Sequence, residues 1–341
     1  MSPRALVMLL ACAACAACVV CAACATQPAG PARSAAEVEF AETQGGGAIS
    51  GATSHAAIPY AASSPTQKLD LFVPQNGRKP YPVVVRFHGG AFHTGSARMV
   101  ELGPAAEAVV AAGYVFAAVN YRLAPEAPFP AAARDAKAAV RFLRANAERW
   151  DLDPERFAAW GDSAGGWLAV MLGVTGDQPT AFDDPSLGNA HVSAAVQAVV
   201  DWYGPTDFAQ MDAQHAAHPP VACPETYERH SGPSTAESTW VCGDRWLDLG
   251  DPACVAATRA ANLIGYVETA RVLPPFMIAH GADDCTVPWS QSVALAEALR
   301  KREAEVTYTK VPRARHADPH IEASETPRAL ELLAKTFPPP G

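Results

Sequence analysis

The sequence predicts an α/β fold in which a mostly parallel sheet carries helices on both faces and one lid-like insertion, at 204–266, interrupts the rhythm. Three observations predict it. From Tyr60 onward, short β-branched runs alternate with Ala-rich amphipathic stretches. Several of the strand runs are apolar on both faces, as in a sheet covered on each side. One run, Arg156-Phe157-Ala158-Ala159-Trp160, passes through the tight turn Gly161-Asp162-Ser163-Ala164-Gly165 into the helix-prone Trp167-Leu168-Ala169-Val170-Met171-Leu172. A chain of 341 residues with 49% hydrophobic content can bury one large core.

In chain order, the N-terminus reads as an export signal. Met1-Ser2-Pro3-Arg4 is a short basic segment, followed by an apolar run to Val20 and the small residues up to Ala25, so 1–25 is expected to be a signal peptide. Cleavage after Ala25 competes with a lipoprotein reading in which Cys24 carries a lipid anchor. Either way the expected destination is outside the cytoplasm, secreted, periplasmic or tethered to the envelope. Five of the nine cysteines fall in this Ala-rich stretch and read as low complexity. Residues 26–57, rich in Ala, Gly, Ser and Thr, read as a flexible linker, leaving 58–341 as the main folded domain. There, 68–73, 83–87, 114–119, 156–160, 194–203, 276–279 and 306–311 are expected as strands. Stretches 101–112, 131–149, 167–173, 291–302 and 323–335 are expected as helices. The insertion is rich in Pro, His, Trp and Cys; a long irregular segment of this kind is a lid or binding loop more often than decoration. No later stretch is long and apolar enough to span a bilayer.

Exported proteins meet oxidising conditions, so the remaining Cys223, Cys242, Cys254 and Cys285 are expected to form two disulfides. Cys242 and Cys254 share one loop and are expected to pair, which leaves Cys223 with Cys285. No His or Cys stands at ligand spacing to them, so no metal is expected. The net charge of −9, without a basic cluster, excludes a nucleic-acid footprint.

The chemistry-bearing residues stand at expected strand ends. Ser163 lies at the apex of the Gly-flanked turn; alone, such a motif arises in about one random chain in ten of this length. A serine hydroxyl needs a base to take its proton, and the base needs a carboxylate to fix its tautomer. After strand 276–279 comes His280-Gly281-Ala282-Asp283-Asp284, where Asp284 and Asp283 compete as the acid. After strand 306–311 comes His316, with His320 further into the loop as the alternative base. After strand 83–87 comes His88-Gly89-Gly90-Ala91, whose glycines let backbone N–H groups approach a developing oxyanion. Trp167, Trp202, Tyr203 and Trp289 are candidates for the acyl or alcohol pocket, or for plain core.

His88-Gly89-Gly90-Ala91, Tyr121-Arg122-Leu123-Ala124-Pro125-Glu126, Gly161-Asp162-Ser163-Ala164-Gly165-Gly166, His280-x-x-x-Asp284 and His316-x-Asp318 occur together and in order. This set resembles the α/β-hydrolase serine esterases, specifically the hormone-sensitive-lipase-like and BD-FAE-type carboxylesterases, over roughly 60–337. The resemblance implies hydrolysis of small-molecule or polysaccharide-linked carboxylic esters, of short acyl chains in many relatives, without a cofactor. It implies Ser163 as nucleophile, His316 as base, Asp284 as acid, and the N–H groups of Gly90, Ala91 and Ala164 as the oxyanion hole. Two departures stand out. Ala91 replaces the usual third glycine, a change that costs little if its φ is negative but disfavours bulky alcohols. The Asp284 motif is similar to that of dienelactone hydrolases and peptidases. A serine exopeptidase of the prolyl-oligopeptidase type and a non-catalytic binding protein on the same scaffold are the competing readings.

Overall fold

The computed structural model describes residues 48–337 apart from 102 and 125. The expected signal peptide, the Cys24 anchor and the linker up to residue 47 lie outside the described residues. Eight strands form one sheet in the order β1-β2-β4-β3-β5-β6-β7-β8. They are β1 (Ala52–Pro59), β2 (Lys68–Pro74), β3 (Tyr81–Phe87), β4 (Val115–Val119), β5 (Leu152–Asp162), β6 (Ala198–Trp202), β7 (Phe276–Gly281) and β8 (Val306–Val311). The first two join antiparallel, and every pairing from β4 to β8 is parallel. The apolar runs β3, β4, β6 and β7 are buried along their whole length, the signature of central strands covered on both faces.

The helices are α1 (Arg98–Glu101), α2 (Pro104–Ala111), α3 (Ala131–Ala145), α4 (Ala164–Thr175), α5 (Met211–Ala217), α6 (Ala236–Cys242), α7 (Val255–Ala260), α8 (Leu263–Thr269), α9 (Ser290–Lys301) and α10 (Pro319–Thr336). Two cores result. On one face, α3, α4 and α9 pack with the insertion through residues such as Ala136, Leu168, Leu295 and Trp240. On the other, α2 and α10 pack through Val109, Ile321 and Leu333. Among the described residues no helix is long and apolar enough to cross a membrane.

Residues 52–57, expected in the linker, are instead the first part of β1. This edge strand is mostly exposed and built from Ala, Thr, Ser and His, so its identity comes from pairing with β2 rather than from a hydrophobic pattern. The insertion is also more ordered than its composition implies: it holds α5 to α8. Both expected disulfides are present. Cys242–Cys254 closes one loop of the insertion, and Cys223–Cys285 ties the insertion to the loop after β7. Trp240 of α6 stacks on Phe92 with ring centroids 3.5 Å apart.

Candidate active site

The elbow between β5 and α4 is built by close backbone approach. Ser163 has φ 52° and ψ −121°, a strained conformation held by its N–H bond of 2.8 Å to the Trp202 carbonyl. A Cβ on Gly161 would stand 1.9 Å from the Gly165 carbonyl oxygen, and one on Gly165 would stand 2.1 Å from the Phe87 carbonyl oxygen. Only glycine fits at either position. Ser163 makes no side-chain cap to α4, which leaves its hydroxyl for another partner.

That partner is His316, in the loop after β8. Its Nε2 lies 3.0 Å from Ser163 Oγ, and its Nδ1 lies 2.7 Å from Asp284 Oδ2. Asp284, in the loop after β7, is buried, and its other oxygen accepts the N–H groups of Thr286 at 2.8 Å and Val287 at 2.9 Å. Burial pushes this carboxyl up, but the His316 imidazole and hydrogen bonds from His280 and His316 outweigh it and hold the group well below the usual carboxylate range. The structure therefore separates the competing residues. Asp284, not Asp283, meets His316, and His320 is 87% exposed and turned to Asp318.

The loop after β3 lies against the elbow, with the Gly89 position so close that a Cβ there would reach within 3.2 Å of Ser163 Cβ. Its shape is held from behind. The Tyr121 hydroxyl donates to the His88 carbonyl at 2.8 Å, the two rings stack at 4.4 Å, and His88 Nδ1 lies 2.7 Å from the Gly89 carbonyl. Burial lowers His88 to about 4, so it stays a neutral brace. Among the described residues, the N–H groups of Gly90, Ala91 and Ala164 have no acceptor. Ala91 has a φ of +52° rather than the negative value that would make its methyl group cheap; the following Phe92 is at +62°.

The aromatic pocket candidates divide. Trp167 is fully buried and donates to the Ala261 carbonyl at 3.0 Å, so it is core and not a pocket wall; it stands on the inner face of α4, where helix packing decides its place. Trp202 and Tyr203, nearly buried, line a cavity of about 170 Å³ with Arg86, Asp162 and Ala317. Tyr203 also sets its ring against that of His316, centroids 4.8 Å apart. Trp289 lies beneath Lys310, whose Nζ is 3.2 Å from the ring centroid. A larger cavity of about 490 Å³ opens at the far end of the sheet, past the C-terminus of α4, and takes in none of these groups.

Sequence reasoning missed the Arg86–Asp162 ion pair of 2.7 Å beneath the elbow and the contacts of Tyr203 and His280 around Asp284 and His316. The only signal for His280 was its place in the motif that carries Asp284.

The parallel sheet, with Ser163 at the β5–α4 elbow and Asp284 and His316 in the loops after β7 and β8, defines an α/β-hydrolase fold. The chain belongs to the BD-FAE family, whose model matches residues 69–299. It is similar to the esterase LipQ of Mycobacterium tuberculosis, 30% identical over 266 residues, which cover 76% of this chain and 56% of LipQ. It is also similar to the esterase LipC of the same organism, 29% identical over 280 residues, 79% of this chain and 61% of LipC. The chain thus spans little more than half the length of these relatives. Among solved structures, a truncated carbohydrate esterase from gut microbiota superposes with a TM-score of 0.73 at 24% identity, over 86% of this chain and 99% of the other.

Proposed function

We propose that the protein is an exported serine carboxylesterase acting through an acyl-serine intermediate. The observation that carries this reading is the continuous relay Ser163 Oγ–His316 Nε2, His316 Nδ1–Asp284 Oδ2, at 3.0 and 2.7 Å. His316 takes the serine proton as Oγ attacks the ester carbonyl, and returns it to the leaving alcohol. Asp284 fixes the Nδ1–H tautomer and stabilises the imidazolium. The N–H groups of Gly90, Ala91 and Ala164 receive the oxyanion, and water then repeats the sequence on the acyl-serine. Family membership and the esterases among the relatives support ester hydrolysis. The likeness to a carbohydrate esterase supports esters borne on sugars among the substrates, beside small-molecule esters of short acyl groups. Two disulfides support export.

The test offers the purified chain p-nitrophenyl acetate, butyrate and longer esters beside an aminoacyl-nitroanilide. We expect ester turnover to fall as the acyl chain lengthens, the anilide to be spared, and Ser163→Ala to lose about 10³-fold or more in kcat. Turnover unchanged in Ser163→Ala would overturn the mechanism, and preferred cleavage of the anilide would move the protein to the exopeptidases.

A further inference from the structure

Asp284 Oδ2 faces a second imidazole. His280, the penultimate residue of β7, is fully buried. Its Nε2 lies 3.2 Å from Asp284 Oδ2 and 2.9 Å from the Val287 carbonyl, while its Nδ1 lies 2.7 Å from Ser292 Oγ in the first turn of α9. These partners select one tautomer. Nε2 faces two acceptors and must carry the hydrogen; Nδ1 then accepts the Ser292 hydroxyl proton. The Tyr203 ring stands edge-on to both imidazoles, with centroids 6.4 Å from His280 and 4.8 Å from His316.

We infer that His280 is a positioning residue of this esterase site, whose Nε2–H, shared between Asp284 Oδ2 and the Val287 carbonyl, orients the carboxylate toward His316 and withdraws part of its charge. The inference rests on the proposed roles of Ser163, His316 and Asp284. A buried histidine serving only as core would satisfy its ring nitrogens away from the reacting groups. This one has the Val287 carbonyl at 2.9 Å and, at 3.2 Å, the same carboxylate oxygen that His316 uses, and a serine from another element fixes its orientation. Two consequences follow for the relay. Without the donor the carboxylate is free to rotate about its Cβ–Cγ bond, so the fraction of His316 held in the productive orientation falls and kcat falls with it. The charge on Oδ2 also becomes less compensated, so the protonated form of His316 is favoured and the acid limb of kcat/KM moves to higher pH. Around His280 and Asp284 the other titratable groups are His316, Tyr203 from the end of β6, and His215 of α5, whose Nε2 is 3.4 Å from the Thr286 carbonyl.

The experiment compares the full chain with His280→Gln, His280→Met and Ser292→Ala, using p-nitrophenyl acetate, with kcat, KM and the pH profile of kcat/KM read for each. Gln keeps a donor near the Nε2 position; Met fills the space and cannot donate. We expect His280→Met to lose about tenfold in kcat with KM unchanged, the loss expected for one hydrogen bond to a charged group, and its acid limb to shift upward. His280→Gln is expected to recover most of both. Ser292→Ala keeps the imidazole but releases its tautomer, and is expected to show a smaller loss in the same direction. A folded His280→Met with unchanged kcat and an unmoved acid limb overturns the inference, as does an equal loss in Gln and Met with neither limb moved. Should both His280 variants fail to fold, Ser292→Ala decides: kcat and acid limb identical to the parent overturn it. An inert parent chain, by contrast, would overturn the proposed function itself.

Discussion

Ala91 holds a methyl group in left-handed backbone, at φ +52°, where an L-residue costs about 1 kcal/mol over glycine. The turn around it leaves no choice: the N–H groups of His93 and Thr94 both return to the Gly90 carbonyl, at 2.9 and 3.0 Å. The departure from glycine was legible in the sequence, but the sign of φ was not, because it is set by that turn and not by the residue. The exposed methyl group sits beside the N–H groups proposed to hold the oxyanion. Replacing it therefore changes space more than stability, since the strain relieved and the extra freedom of glycine in the unfolded chain are both about 1 kcal/mol and nearly cancel. Ala91→Gly is expected to leave the melting temperature within about 3 °C of the parent while raising kcat/KM for tert-butyl acetate relative to ethyl acetate. An unchanged ratio of the two esters would show that the methyl group does not meet the alcohol.

At the scale of elements, the end of β6 and the start of α4 interlock through one buried acid. Asp201 accepts the Gly204 N–H at 3.0 Å, and a Cβ on Gly166 would come within 2.3 Å of its Oδ1, so both glycines are dictated by this carboxyl. Burial, with a smaller push from Asp162, raises Asp201 to about 7, against the Gly204 hydrogen bond that lowers it. Its folded value lies above its unfolded value of about 4. The associated stability is thus fully present below about pH 4 and is lost as pH rises through about 7, with a span of at most about 4 kcal/mol. Asp201→Asn removes the titration while keeping an acceptor for Gly204. Its melting temperature is expected to gain on the parent's between pH 4 and pH 8; a difference constant over that range would place the Asp201 proton elsewhere. Elements like β6 were readable because an apolar run buried on both faces has few alternatives. The strand β1 was not, because an exposed edge strand takes its conformation from its neighbour. Helices α5 to α8 were not either: at six or seven residues each they are too short for an amphipathic period to show, and the disulfides and Trp240 hold them in place. The sequence singled out Ser163, Asp284 and His316 because the proposed chemistry needs those residue types at strand ends, and the structure brings the three within hydrogen-bond distance. The contacts of Tyr203 and His280 with His316 and Asp284 were opaque, because they depend on which side chains the folded loops bring together.

For the molecule as a whole, one of the two disulfides, Cys223–Cys285, joins the insertion to the loop after β7 and so to the candidate site. Cys242–Cys254 closes a separation of 12 residues and was foreseeable from proximity in sequence; Cys223–Cys285 closes 62 and followed only by elimination. In the chain-entropy account these cross-links restrict the unfolded state by about 3 and 4 kcal/mol respectively. Their placement differs more than their size. Cys285 is bonded directly to Asp284, and its carbonyl accepts the Glu228 N–H at 2.8 Å, so Cys223–Cys285 clamps the insertion onto the loop that holds Asp284. Cys242–Cys254 stays within the insertion. Excess reductant is therefore expected to lower the melting temperature by several degrees, at about 2 °C or more per kcal/mol. The paired substitutions separate the contributions. Cys242→Ser with Cys254→Ser should cost stability while leaving kcat near the parent's well below the transition. Cys223→Ser with Cys285→Ser should cost stability and also lower kcat at that temperature, as the Asp284 loop loses its anchor. Equal kcat in the two double variants would mean that the hydrogen bonds from Thr286, Val287 and His280 hold Asp284 unaided, and a melting temperature unmoved by reductant would remove the disulfides from the stability of the fold.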